Sequence, residues 1–398
     1  MTQNNTLLQS ANELFPYTQD LRRDFHRHPE LGFQEFRTAQ KVAGELRALG
    51  LEVSTGIGQT GVVALIEGDQ PGPVILLRFD MDALPIVEET GAEYASTQPG
   101  VMHACGHDGH TAIGLTVARL LNDHRAEICG KIKLLFQPAE EGQGGAEAVI
   151  KDGVLENPHV DAALGLHLWN EIPAGQAGII SGALMAGSDT FTITVTGKGG
   201  HGAMPERTID PIVAAAQIIT AIQSIPARSV SARSAAVISV TQVHAGTAFN
   251  IIPQTVEMAG TIRYFDSAVH GLVLKRLQDV IEGTGAAMGC ETKFEVNELT
   301  PAVINHPEMM RLVVEAAHNA APDLEINENY QSMGSEDMAY LLERVPGCFF
   351  FVGSANAERG LNYAHHHPKF DIDESVLPTA VAWMSAAALN LGRTLQSK

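Results

Sequence analysis

The chain has 398 residues, of which 45% are hydrophobic and 18% charged, and its formal net charge at pH 7 is -20. This length predicts two or three domains, because single hydrophobic cores stop growing at about 250–300 residues. The negative charge argues against nucleic acid as a partner, since phosphate binding requires a surface rich in lysine and arginine.

The N-terminal stretch MTQNNTLLQSANELF has neither the basic nor the apolar region of a secretory signal. No uninterrupted apolar run reaches the roughly 18 residues that span a bilayer, so no membrane association is expected. The cysteines at 105, 129, 290 and 348 lack CxxC spacing and do not suggest a disulfide framework. The sequence therefore predicts a cytoplasmic protein with reduced thiols.

Up to about Gly182 the sequence predicts helices alternating with buried strands. Residues 18–50 contain two helical stretches separated by a loop, and Gly50 ends the second one. An alternation of strands and helices indicates a parallel or mostly parallel sheet, and hence an α/β domain. The apolar runs and the residues between them predict strands at 61–68, 73–79, 131–137 and 162–168, and helices at 111–123 and 144–155.

Beyond Gly182 the apolar residues alternate with polar ones, which is typical of strands with one face in solvent. The predicted order β-α-β-β-α-β is that of a ferredoxin-like α+β unit. After Thr300 the first pattern resumes. We therefore predict a discontinuous α/β domain with a mostly parallel mixed sheet, residues 1–183 and 299–398, interrupted by a smaller domain at 184–298. The elements predicted after Gly182 are strands at 189–197, 234–246, 255–265, 292–299 and 347–353, and helices at 210–225, 268–289, 307–321 and 376–391.

Polar residues cluster where the predicted strands of the first domain end. In open α/β sheets the carboxyl ends of the strands form the ligand crevice, so segments far apart in sequence are expected to meet there. Each segment alone also fits a turn, a helix start or an ordinary histidine, but their convergence predicts a functional site. The residues concerned are Asp80 and Asp82, the group His103, Cys105, His107 and His110, the pair Glu140 and Glu141, His167, and His365, His366 and His367.

Thiolate and imidazole are ligands for Zn²⁺, and carboxylates also suit Mn²⁺. Cys105 and His107 lie two residues apart, so in an extended segment both side chains would point the same way. Of two adjacent glutamates, one can bind metal while the other acts as a general base. The ligands outnumber those that one tetrahedral ion needs, which predicts two metal ions about 3.5–4 Å apart. A thiol nucleophile, Cys105 with His107 as its base, is the less favoured interpretation.

Ten motifs, spread in this order along nearly the whole chain, together resemble the M20 metallopeptidase family. The resemblance is to its amidohydrolase branch, which includes hippurate hydrolases, N-acyl-amino-acid amidohydrolases and plant auxin-conjugate hydrolases. The motifs are RRDFHRHPELGFQE, DMDALPI, MHACGHDGHTA, FQPAEEGQGGA, GLHLW, GKGGHGAMPERTIDPI, GTAFNIIP, GTIR, GSEDMAY and HHHPKFDIDE.

The resemblance implies two divalent ions per subunit, Zn²⁺ or Mn²⁺ with Co²⁺ or Ni²⁺ as alternatives. Glu140 aligns with the general base, and Asp82 with the acid that orients a metal ligand. The family pattern His-x-Pro-x-Phe aligns His366, although a shift to His365 or His367 stays open. His103 and His110 are left as supporting residues. The implied metal ligands are Cys105, His107, Glu141, His167 and His366.

For the inserted domain the resemblance implies a lid that also serves as a dimerisation surface, and hence a homodimer or larger homo-oligomer. His201 aligns with a histidine that stabilises the oxyanion, Asn250 with a substrate-binding amide, and Arg263 with a residue that receives a carboxylate. The segment GKGGHG is not a phosphate-binding loop, because its lysine is followed by glycine rather than serine or threonine.

The expected activity is therefore metal-dependent hydrolysis of the amide bond of N-acyl or N-aroyl amino acids. A metal-activated water would attack the amide with Glu140 as general base, giving a carboxylic acid and a free amino acid. A dipeptidase or carboxypeptidase of the same superfamily is the alternative enzyme. A metal-stabilised binding protein is the non-catalytic alternative, but it would have no need of Glu140.

Overall fold

The computed structural model describes residues 4–396, which form two compact units. The first unit comprises the described residues up to Leu184, the segment Val303–Gln331 and the described residues from Asp337 onwards. The second unit comprises Met185–Ala302 and the short segment Ser332–Glu336.

The helices and strands are numbered in chain order. The helices are α1 (Asn4–Glu13), α2 (Phe15–Arg27), α3 (Phe36–Ala48), α4 (His107–Asp123), α5 (Gly145–Lys151), α6 (Pro211–Ile222), α7 (Ser267–Ala287), α8 (Pro307–Ala320), α9 (Met338–Leu342) and α10 (Leu377–Gln396). The strands are β1 (Glu52–Ile57), β2 (Gly61–Glu67), β3 (Gln70–Asp80), β4 (Cys129–Gln137), β5 (Ala162–Pro173), β6 (Gln176–Gly178), β7 (Gly182–Met185), β8 (Gly187–Thr196), β9 (Gly200–His201), β10 (Ala236–Ala245), β11 (Ile251–Ile252), β12 (Thr255–Tyr264), β13 (Glu291–Thr300), β14 (Val303–Asn305), β15 (Glu325–Asn327) and β16 (Gly347–Ala355).

The first unit contains an eight-stranded mixed sheet in the order β1-β2-β4-β3-β5-β16-β6-β15. Its centre is parallel, because β3 pairs in parallel with both β4 and β5, and β5 pairs in parallel with β16. Strands β1 and β2 add an antiparallel edge. This arrangement confirms the predicted mostly parallel mixed sheet, and it brings the carboxyl ends of the four central strands to one edge.

The central strands are buried along nearly their whole length because their residues are apolar in succession rather than alternately. Such strands require cover on both faces of the sheet. Helix α10 packs against α1, α4, α8 and β3 and supplies much of that cover. The stretch Glu374–Gln396 is long and apolar enough to cross a membrane, but 83% of its most apolar window is buried inside the protein. It is therefore typical of a core helix.

The second unit contains an antiparallel four-stranded sheet in the order β10-β12-β8-β13. Along the chain the four strands of this sheet and the two helices follow one another as β8, α6, β10, β12, α7 and β13, which confirms the predicted ferredoxin-like order. The short strands β9 and β11 are inserted after β8 and β10. Residues of β12 alternate between buried and less buried positions. Helices α6 and α7 pack on one another and on this sheet, so the apolar face of the sheet and the two helices form the core of the unit.

One buried arginine connects three segments of the first unit. The Arg22 guanidinium on α2 is fully buried, and its nitrogens lie 2.8 Å from Asp108 Oδ2, 2.6 Å from Asp371 Oδ1 and 3.2 Å from Glu374 Oε1. Asp108 is in the first turn of α4, and the other two acids precede α10. Arg22 therefore fixes the start of α4 relative to the segment that leads into α10.

We expect Arg22→Met to destabilise the protein by about 3–5 kcal/mol, because removal of one partner leaves buried carboxylates without compensation. Arg311→Met is the matched control, since Arg311 forms an exposed pair with Glu315 that is worth under about 1 kcal/mol. Urea unfolding of both variants at neutral pH measures the difference. Equal midpoints for the two variants would contradict the structural role of Arg22.

Candidate metal centre

The carboxyl edge of the main sheet holds the first candidate site residues. Strand β3 ends at Asp80, which pairs with Gln137 at the end of β4. The predicted strand at 162–168, which contains His167, ends too early, because β5 continues to Pro173. Arg78 pairs with Gly165, so His167 lies level with Asp80 along the sheet. His167 reaches the edge because the neighbouring strand stops beside it.

The predicted extended conformation for the Cys105–His107 segment is also wrong. Gly106 has φ +95°, in the left-handed region, and His107 is already the first residue of α4. Glycine adopts this conformation without the steric penalty that a side chain would bring. The two side chains nevertheless meet, because the turn at Gly106 places the thiol beside the first turn of the helix.

Cys105, His107 and His167 form one candidate ligand group, whose ligand atoms all lie within 4.8 Å of one another. Cys105 Sγ is 3.5 Å from His167 Nε2. The Nδ1 atom of His167 donates to the Leu168 carbonyl at 2.7 Å, which leaves its Nε2 lone pair free for a ligand. Burial lowers the pKa of His167 well below its usual range, so the ring is neutral.

His107 is oriented in the same way as His167. Its Nδ1 donates to the backbone carbonyl of Asp82 at 3.0 Å and lies 3.2 Å from Asp82 Oδ1. Its buried Nε2 has no hydrogen-bond partner among residues 4–396. Burial opposes a charge on this ring, but the carboxylates of Asp80 and Asp82 outweigh it and raise the pKa of His107 to about 10. The carboxylates around His107 thus stabilise positive charge, and the buried His107 Nε2 has no partner among the described residues. Both features suit the binding of a divalent cation.

Glu141 connects this group to two further groups of the same kind. One consists of Cys105, Glu141 and His366, and the other of His107, Glu140 and Glu141. Glu141 Oε1 lies 3.2 Å from His366 Nε2, and the Glu141 backbone N–H donates to Asp82 Oδ2 at 3.0 Å. The structure therefore brings the predicted ligands together in overlapping groups. We call the following five residues the ligand cluster: Cys105, His107, Glu141, His167 and His366.

The three consecutive histidines have different surroundings. His365 Nε2 accepts the Asn170 N–H at 3.1 Å, and His367 Nδ1 accepts the Lys369 N–H at 3.0 Å. His366 is the member of the triplet that belongs to a candidate ligand group. Its φ of +65° is unusual for a residue with a side chain, and such strain concentrates at functional sites. The geometry thus favours His366, as the alignment of the motif does.

His110 lies beside Asp80 and His107 but cannot easily act as a ligand. Its Nε2 accepts the Leu168 N–H at 2.9 Å, and its Nδ1 donates to Asp80 Oδ1 at 2.6 Å. Both nitrogens are therefore engaged. His103 is buried and belongs to none of the candidate groups formed by the described residues, and burial lowers its pKa to about 4. Both histidines support the structure around the ligand cluster.

The environment of Cys105 favours a role as metal ligand over a role as catalytic nucleophile. Burial, followed by the charges of Glu141, Glu140 and Asp80, raises the pKa of the Cys105 thiol well above its usual range. A nucleophilic cysteine needs the opposite shift. A bound cation would stabilise the thiolate here, so the thiol, imidazole and carboxylate donors fit Zn²⁺ or a similar ion better than covalent catalysis.

A second buried arginine, which was not among the site residues predicted from the sequence, supports the site. Arg78 on β3 donates to Asp80 Oδ2 at 2.6 Å and to Asp337 Oδ1 at 2.8 Å. The Asp337 N–H in turn donates to Glu140 Oε1 at 3.4 Å. The available signal was an arginine inside the apolar run PVILLRF, since a buried arginine requires acidic partners.

The residues predicted to contact substrate from the lid lie in the second unit. His201 on β9 pairs with Ile251 on β11, and the Gly202 N–H donates to the Asn250 carbonyl at 2.9 Å. His201 and Asn250 are thus neighbours, and both are exposed. Arg263 lies on β12, partly buried, where its guanidinium contacts the Ile262 carbonyl at 3.1 Å. The roles of these three residues stay predictions.

An α/β sheet with candidate metal ligands at the carboxyl ends of its parallel strands is an architecture of metal-dependent hydrolases. The chain belongs to Peptidase family M20/M25/M40, whose family model matches residues 76–390. This match confirms the predicted family, and with it the expectation that the protein is a hydrolase.

Several relatives are similar over almost their whole length. An N-acetylcysteine deacetylase of Bacillus subtilis (strain 168) is 40% identical over 378 residues, which cover 95% of this chain and 97% of the relative. Thermostable carboxypeptidase 1 of Saccharolobus solfataricus is 40% identical over 376 residues, covering 93% and 94%. The crystal structure of Bacillus subtilis YXEP protein, described as a dinuclear metal binding peptidase from the M20 family, has a TM-score of 0.84 and 38% identity, covering 96% of this chain and 99% of that one.

We expect Asp82→Asn to weaken metal binding about 10–100-fold, as loss of a group that orients ligands does elsewhere. Asparagine has one acceptor oxygen, so it cannot serve both His107 Nδ1 and the Glu141 N–H. Asp161→Asn is the control, because Asp161 Oδ2 also accepts a backbone N–H, that of Val74, at the opposite end of the strands. Competition with a chromophoric chelator measures affinity. An unchanged affinity in Asp82→Asn would contradict the assigned role.

Proposed function

We propose that the protein hydrolyses the amide bond of N-acyl or N-aroyl amino acids and releases a carboxylic acid and a free amino acid. The observation that carries this proposal is the position of Glu140, whose carboxylate shares a candidate ligand group with His107 and Glu141. A metal-stabilised binding protein needs no such additional carboxylate. The name of the N-acetylcysteine deacetylase relative supports an acylated amino acid as the substrate class.

In this proposal two divalent ions held by the ligand cluster supply Lewis-acid activation of water and of the amide carbonyl. Glu140 accepts the proton of the attacking water and passes it to the leaving nitrogen. The Asp337 N–H holds one oxygen of that carboxylate, while Asp82 orients His107 and Glu141. His201 would stabilise the oxyanion, Asn250 would bind the substrate, and Arg263 would receive its carboxylate.

We further propose which ions bind, where the protein resides and how its subunits associate. The ions are Zn²⁺ or Mn²⁺, with Co²⁺ or Ni²⁺ as alternatives, because borderline ions share these ligands. The four cysteines are unpaired, as a reducing cytoplasm would keep them. The subunits associate as a homodimer or larger homo-oligomer through the second unit, which light scattering during size-exclusion chromatography would measure.

We expect Glu140→Gln to retain its metal but to lose turnover about 100- to 10,000-fold, because glutamine cannot accept the proton. Glu147→Gln is the matched control, since Glu147 is an exposed glutamate in the first turn of α5. Metal analysis and steady-state kinetics on N-acetyl and N-benzoyl amino acids test both variants. Near-normal turnover in Glu140→Gln would refute the assignment of the base.

A substrate panel separates the proposed activity from that of a dipeptidase or carboxypeptidase. The carboxypeptidase relative makes this comparison necessary. We expect faster hydrolysis of N-acetyl- and N-benzoyl-glycine than of free dipeptides or N-blocked peptides. The activity should disappear with a chelator and return with Zn²⁺ or Mn²⁺. A preference for dipeptides would favour the dipeptidase, and loss of activity on thiol alkylation without chelator sensitivity would favour a cysteine nucleophile.

A further inference from the structure

We propose that His365 is a positioning residue that donates its Nδ1–H to the Cys105 sulfur and thereby tunes the bond between this sulfur and the metal. This inference rests on the proposed function, because it takes Cys105 as a metal ligand. It assigns to His365 a role that differs from that of its neighbour His366 in the ligand cluster.

The hydrogen bonds of the His365 ring define which nitrogen carries the proton. Its Nε2 accepts the backbone N–H of Asn170 at 3.1 Å, so this nitrogen bears the lone pair. In a neutral imidazole the other nitrogen is then the donor. That nitrogen, Nδ1, lies 3.8 Å from Cys105 Sγ, within the range of a hydrogen bond to sulfur. His365 therefore points an N–H group, and not a lone pair, at Cys105, whose sulfur and backbone carbonyl are both acceptors beside it.

Packing fixes the plane of the His365 ring. One face stacks on Trp169, with ring centroids 4.5 Å apart and an angle of 30°, and Phe370 lies against the ring at 4.9 Å. The donor to Nε2 is itself fixed, because the Asn170 side chain donates to the Asp371 carbonyl at 2.8 Å and accepts from Ser354 at 2.6 Å. The ring thus has little freedom to turn a lone pair towards the sulfur.

The environment of Cys105 gives this hydrogen bond its chemical effect. Cys105 shares a candidate ligand group with Glu141 and His366, and its Sγ lies 3.5 Å from His167 Nε2. A hydrogen bond from His365 withdraws electron density from the sulfur and so reduces its donation to a bound ion. Hydrogen bonds from outside the ligand set orient ligands and tune the metal in this way.

The test uses the full-length protein loaded with Co²⁺, whose bond to a thiolate gives a sulfur-to-metal charge-transfer absorption. His365→Phe keeps an aromatic ring against Trp169 but removes the donor. His365→Asn places an amide N–H near the position of Nδ1, whereas His365→Gln places it near Nε2. The Asn and Gln variants therefore form a matched pair that differs in the donor to sulfur.

We expect the Phe and Gln variants to bind as many cobalt ions as the unmodified chain but to absorb at longer wavelength, because the sulfur electrons become easier to excite. The Asn variant should keep the original absorption. His367→Phe is the control and should be unchanged, since His367 stacks on Tyr363 instead.

Three results would overturn the inference. An unshifted absorption in the Phe and Gln variants would reduce His365 to a packing role, and equal shifts in Asn and Gln would exclude its N–H as the cause. Loss of one cobalt ion in the Phe variant would make His365 a ligand. If the Phe variant does not fold, as judged by circular dichroism, the comparison of Asn with Gln decides. Cys105→Ser gives the reference spectrum without a sulfur-to-metal band. If the unmodified protein also lacks this band, Cys105 is not a ligand and the proposed site is refuted.

Discussion

Buried negative charge is the constraint on which the architecture of the first unit depends. The carboxylates of Asp80, Asp82 and Asp108 are almost completely buried, and a buried carboxylate is costly unless it is paired. Arg22 and Arg78 neutralise two of them directly, at 2.8 Å from Asp108 and 2.6 Å from Asp80. The ligand cluster adjoins both ion pairs through His107, which precedes Asp108 in the chain and whose Nδ1 lies 3.8 Å from Asp80 Oδ1. A divalent cation in the ligand cluster would supply positive charge as the arginines do, so its binding would be coupled to the folding of this edge.

Three residues in the left-handed backbone conformation orient the segments that carry the candidate ligands. Gly106 turns the chain between Cys105 and His107, and Ala139 and His366 adopt φ values of 52° and 65° that are unfavourable for residues with a side chain. Hydrogen bonds hold the two strained turns: the Ala139 N–H donates to a buried Glu35 carboxylate at 2.9 Å, and the His366 N–H donates to the Ala104 carbonyl at 2.8 Å. The backbone strain at Ala139 and His366 is therefore offset by hydrogen bonds to residues that are distant in sequence.

This dependence on distant partners explains which features could be predicted from the sequence. The strands of the main sheet were predictable because their apolar runs are continuous, and the inserted unit because its strands alternate with period 2. The candidate ligands were predictable from residue type and motif order. The position of His167 at the edge of the sheet could not be predicted, because it depends on the adjacent strand β3 ending at Asp80. Neither could the pairing of Arg78 with Asp337, since it joins residues that are 259 positions apart.

The histidine triplet shows how the backbone, rather than residue type, decides which side chain can bind metal. His365, His366 and His367 are identical in chemistry and adjacent in sequence. Backbone N–H groups occupy one nitrogen of His365 and one of His367, while the turn at His366 directs its Nε2 to within 3.2 Å of Glu141. Similarly, the Leu168 N–H occupies His110 Nε2, whereas His107 Nε2 is left unpaired among the described residues. A histidine in this site keeps a lone pair for a metal when the protein accepts a hydrogen bond from its ring, as it does for His107. The lone pair is used up when a backbone N–H donates to the ring, as it does for His110. Spacing along the sequence cannot reveal this, because the donors come from β5 and from the turns after β16.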